Sequence, residues 1–203
     1  KRIIAVQEAT KNNVNIAILD DGFQDHSINK NLSIICFNEK QWIGNGFTIP
    51  SGPLREGLSA LKRADCVIIN GKKNKNIENK ILSENDKIKI FYSNYKPQNI
   101  GEFKNKKVIA FAGIGNPENF FDLLKDNKLN IIETIKFPDH HKYSEKELEN
   151  LLNKIKENNT VLLTTEKDYF RISENYKKNI QCLKIKIEIE NKNQFIEEIK
   201  KII

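Results

Sequence analysis

Short apolar runs at residues 14–19, 33–37, 66–70, 108–112 and 161–164, with a further strand-like segment at 131–137, constrain this chain more than any other feature. Each is too short for a helix of ordinary length and rich in Val, Ile, Leu or Phe, as a strand buried on both faces must be. Polar stretches separate them, and several of these carry apolar residues at helical spacing, such as Leu148, Leu151, Leu152 and Ile155. Strands alternating with helices predict an α/β fold with parallel sheets.

The punctuation divides the pattern in two. An opening helix over residues 2–11 is expected to end at Asn12-Asn13, just before the run 14–19. Residues 58–64 read as a short helix, and residues 71–89 as a peripheral helix carrying Ile77, Ile81 and Leu82 over a solvated face. After an extended segment at 88–95, Lys96-Pro97-Gln98-Asn99-Ile100-Gly101 has turn chemistry and marks a boundary near residue 100. The pattern then restarts as βαβαβ. Asn116-Pro117 provides an N-cap and first helical residue, and Ser144-Glu145-Lys146-Glu147 spells a capping box. The alternating residues 182–189 are expected to pair with 88–95 as a ribbon, followed by a closing helix bearing Phe195, Ile196, Ile199 and Ile203.

Candidate chemistry lies in the segments after the strands, where open α/β sheets place ligands. Asp20-Asp21-Gly22-Phe23-Gln24 follows the run 14–19. Adjacent carboxylates suit a hard cation such as Mg2+ with phosphate oxygens beyond it; the same letters also spell an ordinary turn. The loop over residues 38–53 holds Gly44-Asn45-Gly46 and Pro50-Ser51-Gly52-Pro53, and it is too long to be a mere connection. It leads into Arg55 and Glu56, which could bind a phosphate and a sugar hydroxyl or form a surface salt bridge. Lys62 and Arg63 add positive charge, while Trp42 and Phe47 would suit an amphiphilic ligand.

Further on, Gly113-Ile114-Gly115 could receive an anion or be a tight turn that glycine permits. Phe137-Pro138-Asp139-His140-His141 places two of the chain's 3 histidines beside an aspartate at a strand end. His140 is the candidate for proton chemistry near neutrality. Thr164-Thr165-Glu166-Lys167-Asp168 closes a third strand as either polar site or helix cap. A GxxxxGK[ST] phosphate cradle does not occur in the sequence.

The formal charge of +7 is spread over many lysines, which favours acidic partners without choosing among them. Basic residues and aromatics are not gathered into one platform, so nucleic acid is not an expected partner. No apolar run approaches the ~20 residues of a spanning helix. Cys36, Cys66 and Cys182 form no CxxC pair, indicating neither a zinc knuckle nor a disulfide framework and fitting a reducing cytoplasm. The chain has no methionine and opens on Lys1-Arg2 with apolar residues in stride, so a preceding amino-terminal piece is expected.

In order along the chain, these motifs resemble the tetraacyldisaccharide 4'-kinase family of Gram-negative bacteria, which acts on lipid A precursors. Asp20 to Gln24 is similar to its DDG[LF]Q motif, residues 44–56 to GNG…P[AS]GPLRE, and Arg63-Ala64-Asp65 with Asn70-Gly71 to RAD…NG. Residues 111–117 resemble FAGIGNP, 137–140 FPDH, and 165–168 TEKD. The resemblance implies Mg2+-dependent transfer of the ATP γ-phosphate to the 4'-hydroxyl of a tetraacyldisaccharide 1-phosphate. It places the protein peripherally at the cytoplasmic face of the inner membrane. Asp20 and Asp21 would serve metal and phosphates, with Gln24 beside them on the substrate side; His140 would support the general base, and Arg55 with Glu56 would face the glycolipid.

The implied fold is a P-loop-type parallel-sheet core, incomplete here, over residues 1–100, followed by a smaller Rossmann-like domain over 101–203. Family members carry a membrane-touching helix, a P-loop and a further catalytic aspartate upstream, so these residues alone are expected to transfer little phosphate. Two other readings stand beside this one. Asp139-His140-His141 spells the signature of DHH-type metal-dependent phosphoesterases, and a noncatalytic α/β module could bind nucleotide or anionic lipid.

Overall fold

The computed structural model describes residues 1–155 and 159–201 and divides into two compact units. One comprises residues 1–94 with 187–203, the other residues 95–186. The closing segment therefore groups with the first unit, not with the second half of the chain as its sequence position implied.

In the first unit α1 (Arg2–Lys11) ends at Asn12, and Asn13 takes a positive φ of 53°, which breaks the helix where the paired asparagines predicted. The strand expected at residues 14–19 does not form. Val14 continues the helix end by donating to the Ala9 carbonyl, and Ile18 is 91% exposed. A strand is stabilised by a neighbouring backbone, and this run is in neither sheet. Asp20 and Asp21 thus lie in a loop rather than at a strand end.

The first sheet runs in the order β1-β2-β3-β8. β1 (Ile34–Asn38), β2 (Cys66–Asn70) and β3 (Lys89–Pro97) are parallel, with Ile34 opposite Cys66 and Cys66 opposite Lys89. Val67 and Ile69 point to one face, where Leu61 of the 3-10 turn Leu58–Arg63 and Ile77 and Ile81 of α2 (Lys75–Glu84) close the core. α2 is therefore more than a solvated face: Ile77 and Ile81 are buried, and Leu82 stays exposed. Asn74 caps it by accepting from the Asn76 and Ile77 amides.

β8 (Ile185–Ile189) adjoins β3, as the ribbon reading required. The segment 182–189 is not one strand, however. Cys182 belongs to β7 (Ile180–Leu183), and Lys184 breaks the run between them. Phe195 of α7 (Lys192–Lys200) meets Phe91 edge to face, with ring centroids 5.1 Å apart. Ile203, expected on this helix, lies outside the described residues.

The second unit is a parallel sheet in the order β5-β4-β6-β7, formed by β4 (Lys107–Ala112), β5 (Asn130–Lys136), β6 (Thr160–Thr165) and β7. β4 is central, and its side chains alternate between two cores. Val108, Ala110 and Ala112 pack with Phe120, Phe121 and Leu124 of α3 (Pro117–Asp126). Ile109 and Phe111 pack with Leu148 and Leu151 of α4 (Glu145–Leu152) on the other face. Pro117 sits at the first turn of α3, and α4 opens on the complete capping box of Ser144 and Glu147. β7 extends the expected βαβαβ by a fourth strand, reached through α5 (Glu166–Arg171) and α6 (Glu174–Lys177).

Candidate functional site

In the first unit, two motifs far apart in sequence meet through their side chains. Arg55 Nη1 donates to Asp21 Oδ2 at 2.7 Å, with both side chains more than half exposed. Asp21 holds a positive φ of 52°, an uncommon backbone state for a residue other than glycine. The following Gly22 has no room for a side chain: a Cβ would lie 2.7 Å from Leu19 Cβ. Asp20 is exposed, and its carbonyl accepts from Arg2 Nη2 at 3.2 Å. Gln24 is exposed on the same loop.

Arg55 and Glu56 do not pair with each other. While Arg55 reaches Asp21, Glu56 Oε2 accepts from Arg63 Nη2 at 2.6 Å. Arg63 also stacks its guanidinium over Phe23, 4.9 Å from the ring centroid. The DDGFQ loop is therefore held twice, by Asp21 on Arg55 and by Phe23 beneath Arg63. Glu56 Oε1 is buried without a hydrogen-bond partner, a carboxylate oxygen with capacity to accept.

The loop that presents Arg55 is built by its own residues. Asn45 accepts from the Phe47 amide and donates to the Ser51 carbonyl at 2.7 Å. Ile49 and Leu54 exchange a further bond, the Ile49 amide donating to the Leu54 carbonyl at 2.8 Å. Gly52 is required for close approach, since a Cβ there would lie 2.2 Å from the Phe47 carbonyl oxygen. Trp42 is not the exposed aromatic that its loop position implied: it packs on Phe37, ring centroids 4.6 Å apart. Phe47 remains 64% exposed.

In the second unit, three motifs converge on one residue, Gly113, just past the carboxyl end of β4. The Gly113 amide donates to Asp168 Oδ2 at 3.0 Å. The Gly113 carbonyl accepts from the His140 amide and from Arg171 Nη1, each at 3.1 Å. Asp168 is completely buried, and it also accepts from Thr165 Oγ1 at 2.8 Å. The glycine turn is thus a structural junction. Its Gly113 N–H is already committed to a carboxylate, so the anion reading of this turn loses that donor.

His140 itself has φ 58°, and its side chain is 81% exposed. Its Nδ1 lies 2.9 Å from Arg171 Nη2. His141 turns elsewhere: its Nε2 lies 3.0 Å from Glu147 Oε1, and its ring stacks on Phe137. The hydrogen bonds from Ser144, with His141 adding to them, hold the Glu147 carboxyl down to about 2. Because the two histidines serve different partners, the paired-ligand arrangement of the phosphoesterase reading is not formed. Among the described residues, no group of 3 or more His, Cys, Asp or Glu side chains is placed to hold a metal.

Tyr143 completes this cluster, its hydroxyl buried and without a partner in hydrogen-bonding geometry. Burial, and then the Asp168 charge, push its pKa far above the ordinary tyrosine value. Sequence reasoning missed Tyr143 and Arg171. The available signal for Arg171 was its i,i+3 spacing from Asp168 on one helix, a spacing that exposed surface pairs share. The cysteines take no part: all three are free, and burial pushes the Cys66 thiol up to about 12.

Both units are parallel-sheet α/β structures, and the second collects its polar groups at the carboxyl ends of β4, β5 and β6, the working edge of the nucleotide-binding class of α/β proteins. The family model for tetraacyldisaccharide-1-P 4'-kinase matches residues 1–203, and the chain belongs to that family. It is 40% identical over 205 residues to the tetraacyldisaccharide 4'-kinase of Pelagibacter ubique, covering 100% of this chain and 65% of that protein. The Rickettsia bellii enzyme of the same name is 40% identical over 185 residues, covering 91% of this chain and 56% of that protein. The solved structure of the apo form of LpxK from Aquifex aeolicus in complex with ATP matches with a TM-score of 0.65 at 26% identity, covering 91% of this chain and 56% of that one. The chain thus spans between 56% and 65% of the length of these relatives.

Proposed function

We propose that this chain supplies the metal-side and acceptor-side residues of a kinase that moves the ATP γ-phosphate to the 4'-hydroxyl of a tetraacyldisaccharide 1-phosphate. The observation that carries the reading is the Asp21–Arg55 pair. It joins two charged motifs of the family within one unit through the Arg55 guanidinium and the Asp21 carboxylate.

Phosphoryl transfer asks a protein mainly to position charge. Asp20 and Asp21 are both exposed, and Arg55 engages one oxygen of Asp21, leaving carboxylate oxygens available. This donor set fits Mg2+, which is commonly held by one or two carboxylates with water and phosphate oxygens completing its shell. Bound there with ATP, the ion would neutralise charge on the phosphates. Arg55 can exchange its contact with Asp21 for an acceptor oxygen, while Glu56 stays paired with Arg63 beside it. His140, in the second unit, presents an exposed ring suited to proton handling.

ATP as co-substrate is supported by the ATP bound to the Aquifex relative. Contact with the cytoplasmic face of the inner membrane is supported by the charge of +7 and by the exposed Phe47 and Ile49 of the acceptor-side loop. Among the described residues, no helix is long and apolar enough to cross a membrane.

The test uses the product of the complete native reading frame, assayed for 4'-phosphorylation of a tetraacyldisaccharide 1-phosphate with ATP and Mg2+. Formation of the bis-phosphorylated lipid, lost in Asp21→Asn, supports the proposal. Hydrolysis of a phosphodiester to a phosphomonoester and an alcohol without ATP would favour the phosphoesterase instead.

A further inference from the structure

We infer that Arg171 is a positioning residue for His140, its guanidinium fork holding both the strand-end peptide at Gly113 and the ring nitrogen Nδ1 of His140 while the buried Asp168 anchors it from behind. The inference rests on the proposed role of His140 and assigns the group that orients it.

The geometry divides the guanidinium into two functions. Nη1 faces inward, donating to the Gly113 carbonyl at 3.1 Å and lying 3.4 Å from Asp168 Oδ1. Nη2 faces His140, 2.9 Å from Nδ1. Asp168 cannot move to follow another partner, because its other oxygen is fixed by the Gly113 amide and the Thr165 hydroxyl. A tether for the turn alone would need Nη1 and nothing more.

The second contact has a chemical consequence. Arginine has donors and no acceptor, so the His140 nitrogen it meets must offer a lone pair. Neutral His140 then carries its proton on Nε2, on a side chain that is 81% exposed. Asp139 Oδ2, at 3.8 Å, is the nearest carboxylate to it in the ion-pair geometry. The backbone is set by the same peptide: the His140 amide donates to the Gly113 carbonyl at φ 58°. One arginine therefore fixes both which nitrogen is presented and where it points.

Lysine at this position would retain the charge beside Asp168 but reach only one of the two partners. The test is ring 15N NMR on the 203-residue chain and on R171K and R171Q, with His26 and His141 as internal references. The expected result is a hydrogen-bonded, unprotonated Nδ1 on His140 in the native chain. In both variants that resonance moves toward the free-nitrogen value and the tautomers mix, with His26 and His141 unmoved. An unmoved His140 Nδ1 in R171K overturns the inference.

A second readout uses the complete native reading frame. R171K is expected to lower kcat about tenfold or more with KM for ATP and acceptor within about twofold, since a small misplacement of a reacting group costs turnover rather than binding. Where His140→Ala lowers turnover, an unchanged kcat in R171K also overturns the inference. Should His140→Ala keep full turnover while the NMR change in R171K is seen, it is the kinase role of His140 that falls, and the Arg171 contact stands.

Discussion

Arg55 and Asp21, 34 residues apart, form a 2.7 Å ion pair in which neither side chain is buried. Exposed pairs of this kind contribute little to stability, about 0–1 kcal/mol. A function for the pair must therefore be sought in what its charges can bind. Arg55→Ala and Asp21→Asn are expected to shift the urea midpoint by no more than about 1 kcal/mol equivalent while lowering phosphoryl transfer at least about 100-fold. Denaturation and turnover measured on the same variants separate the two effects.

Asp168 behaves oppositely. Its carboxylate is fully buried and joined to Gly113, Thr165 and Arg171. Asp168→Ala leaves the Arg171 guanidinium without its buried partner and is expected to cost about 3–5 kcal/mol in chemical denaturation. A cost below about 1 kcal/mol would show that the junction at Gly113 holds without it.

These two carboxylates mark how far the sequence could be read. The parallel α/β pattern, the Ser144–Glu147 box and the Asn116-Pro117 helix start were legible because local chemistry decides them. The run 14–19 was not, since a strand depends on a neighbour that short-range periodicity cannot reveal. Nor could Asp168 be told from a surface helix cap: burial distinguishes the two, and burial is set by β4 and β6 packing around it. The Asp21–Arg55 contact was not legible either, since the sequence offered Glu56 as the neighbour of Arg55 and Asp21 lies 34 residues away; Arg171 was hidden because its partner His140 lies 31 residues away on a separate turn.

The capping box carries a pH dependence with a defined sign. Glu147 sits at about 2 when folded against an ordinary value of 4.5, so it contributes stability above about pH 4.5 that is lost as pH falls toward 2. Glu147→Gln is expected to flatten that acid limb. Ser144→Ala should cost about 1 kcal/mol at neutral pH. Circular dichroism during acid titration checks the first expectation and denaturant unfolding the second.

Gly52 offers a test of the loop independent of charge. An added methyl would lie 2.2 Å from the Phe47 carbonyl oxygen, so the backbone must shift. Gly52→Ala is expected to lower turnover by displacing Arg55, with the circular dichroism of the sheets unchanged. Full activity in this variant would show that the loop tolerates a different path.

The decisive measurement is 4'-phosphorylation of a tetraacyldisaccharide 1-phosphate by the product of the complete native reading frame, followed by mass spectrometry with ATP and Mg2+ present. The expected result is one added phosphate on the lipid, reduced at least about 100-fold in Asp21→Asn and in His140→Ala. An unphosphorylated lipid with the native protein, or undiminished transfer in Asp21→Asn, would contradict the assignment of this site.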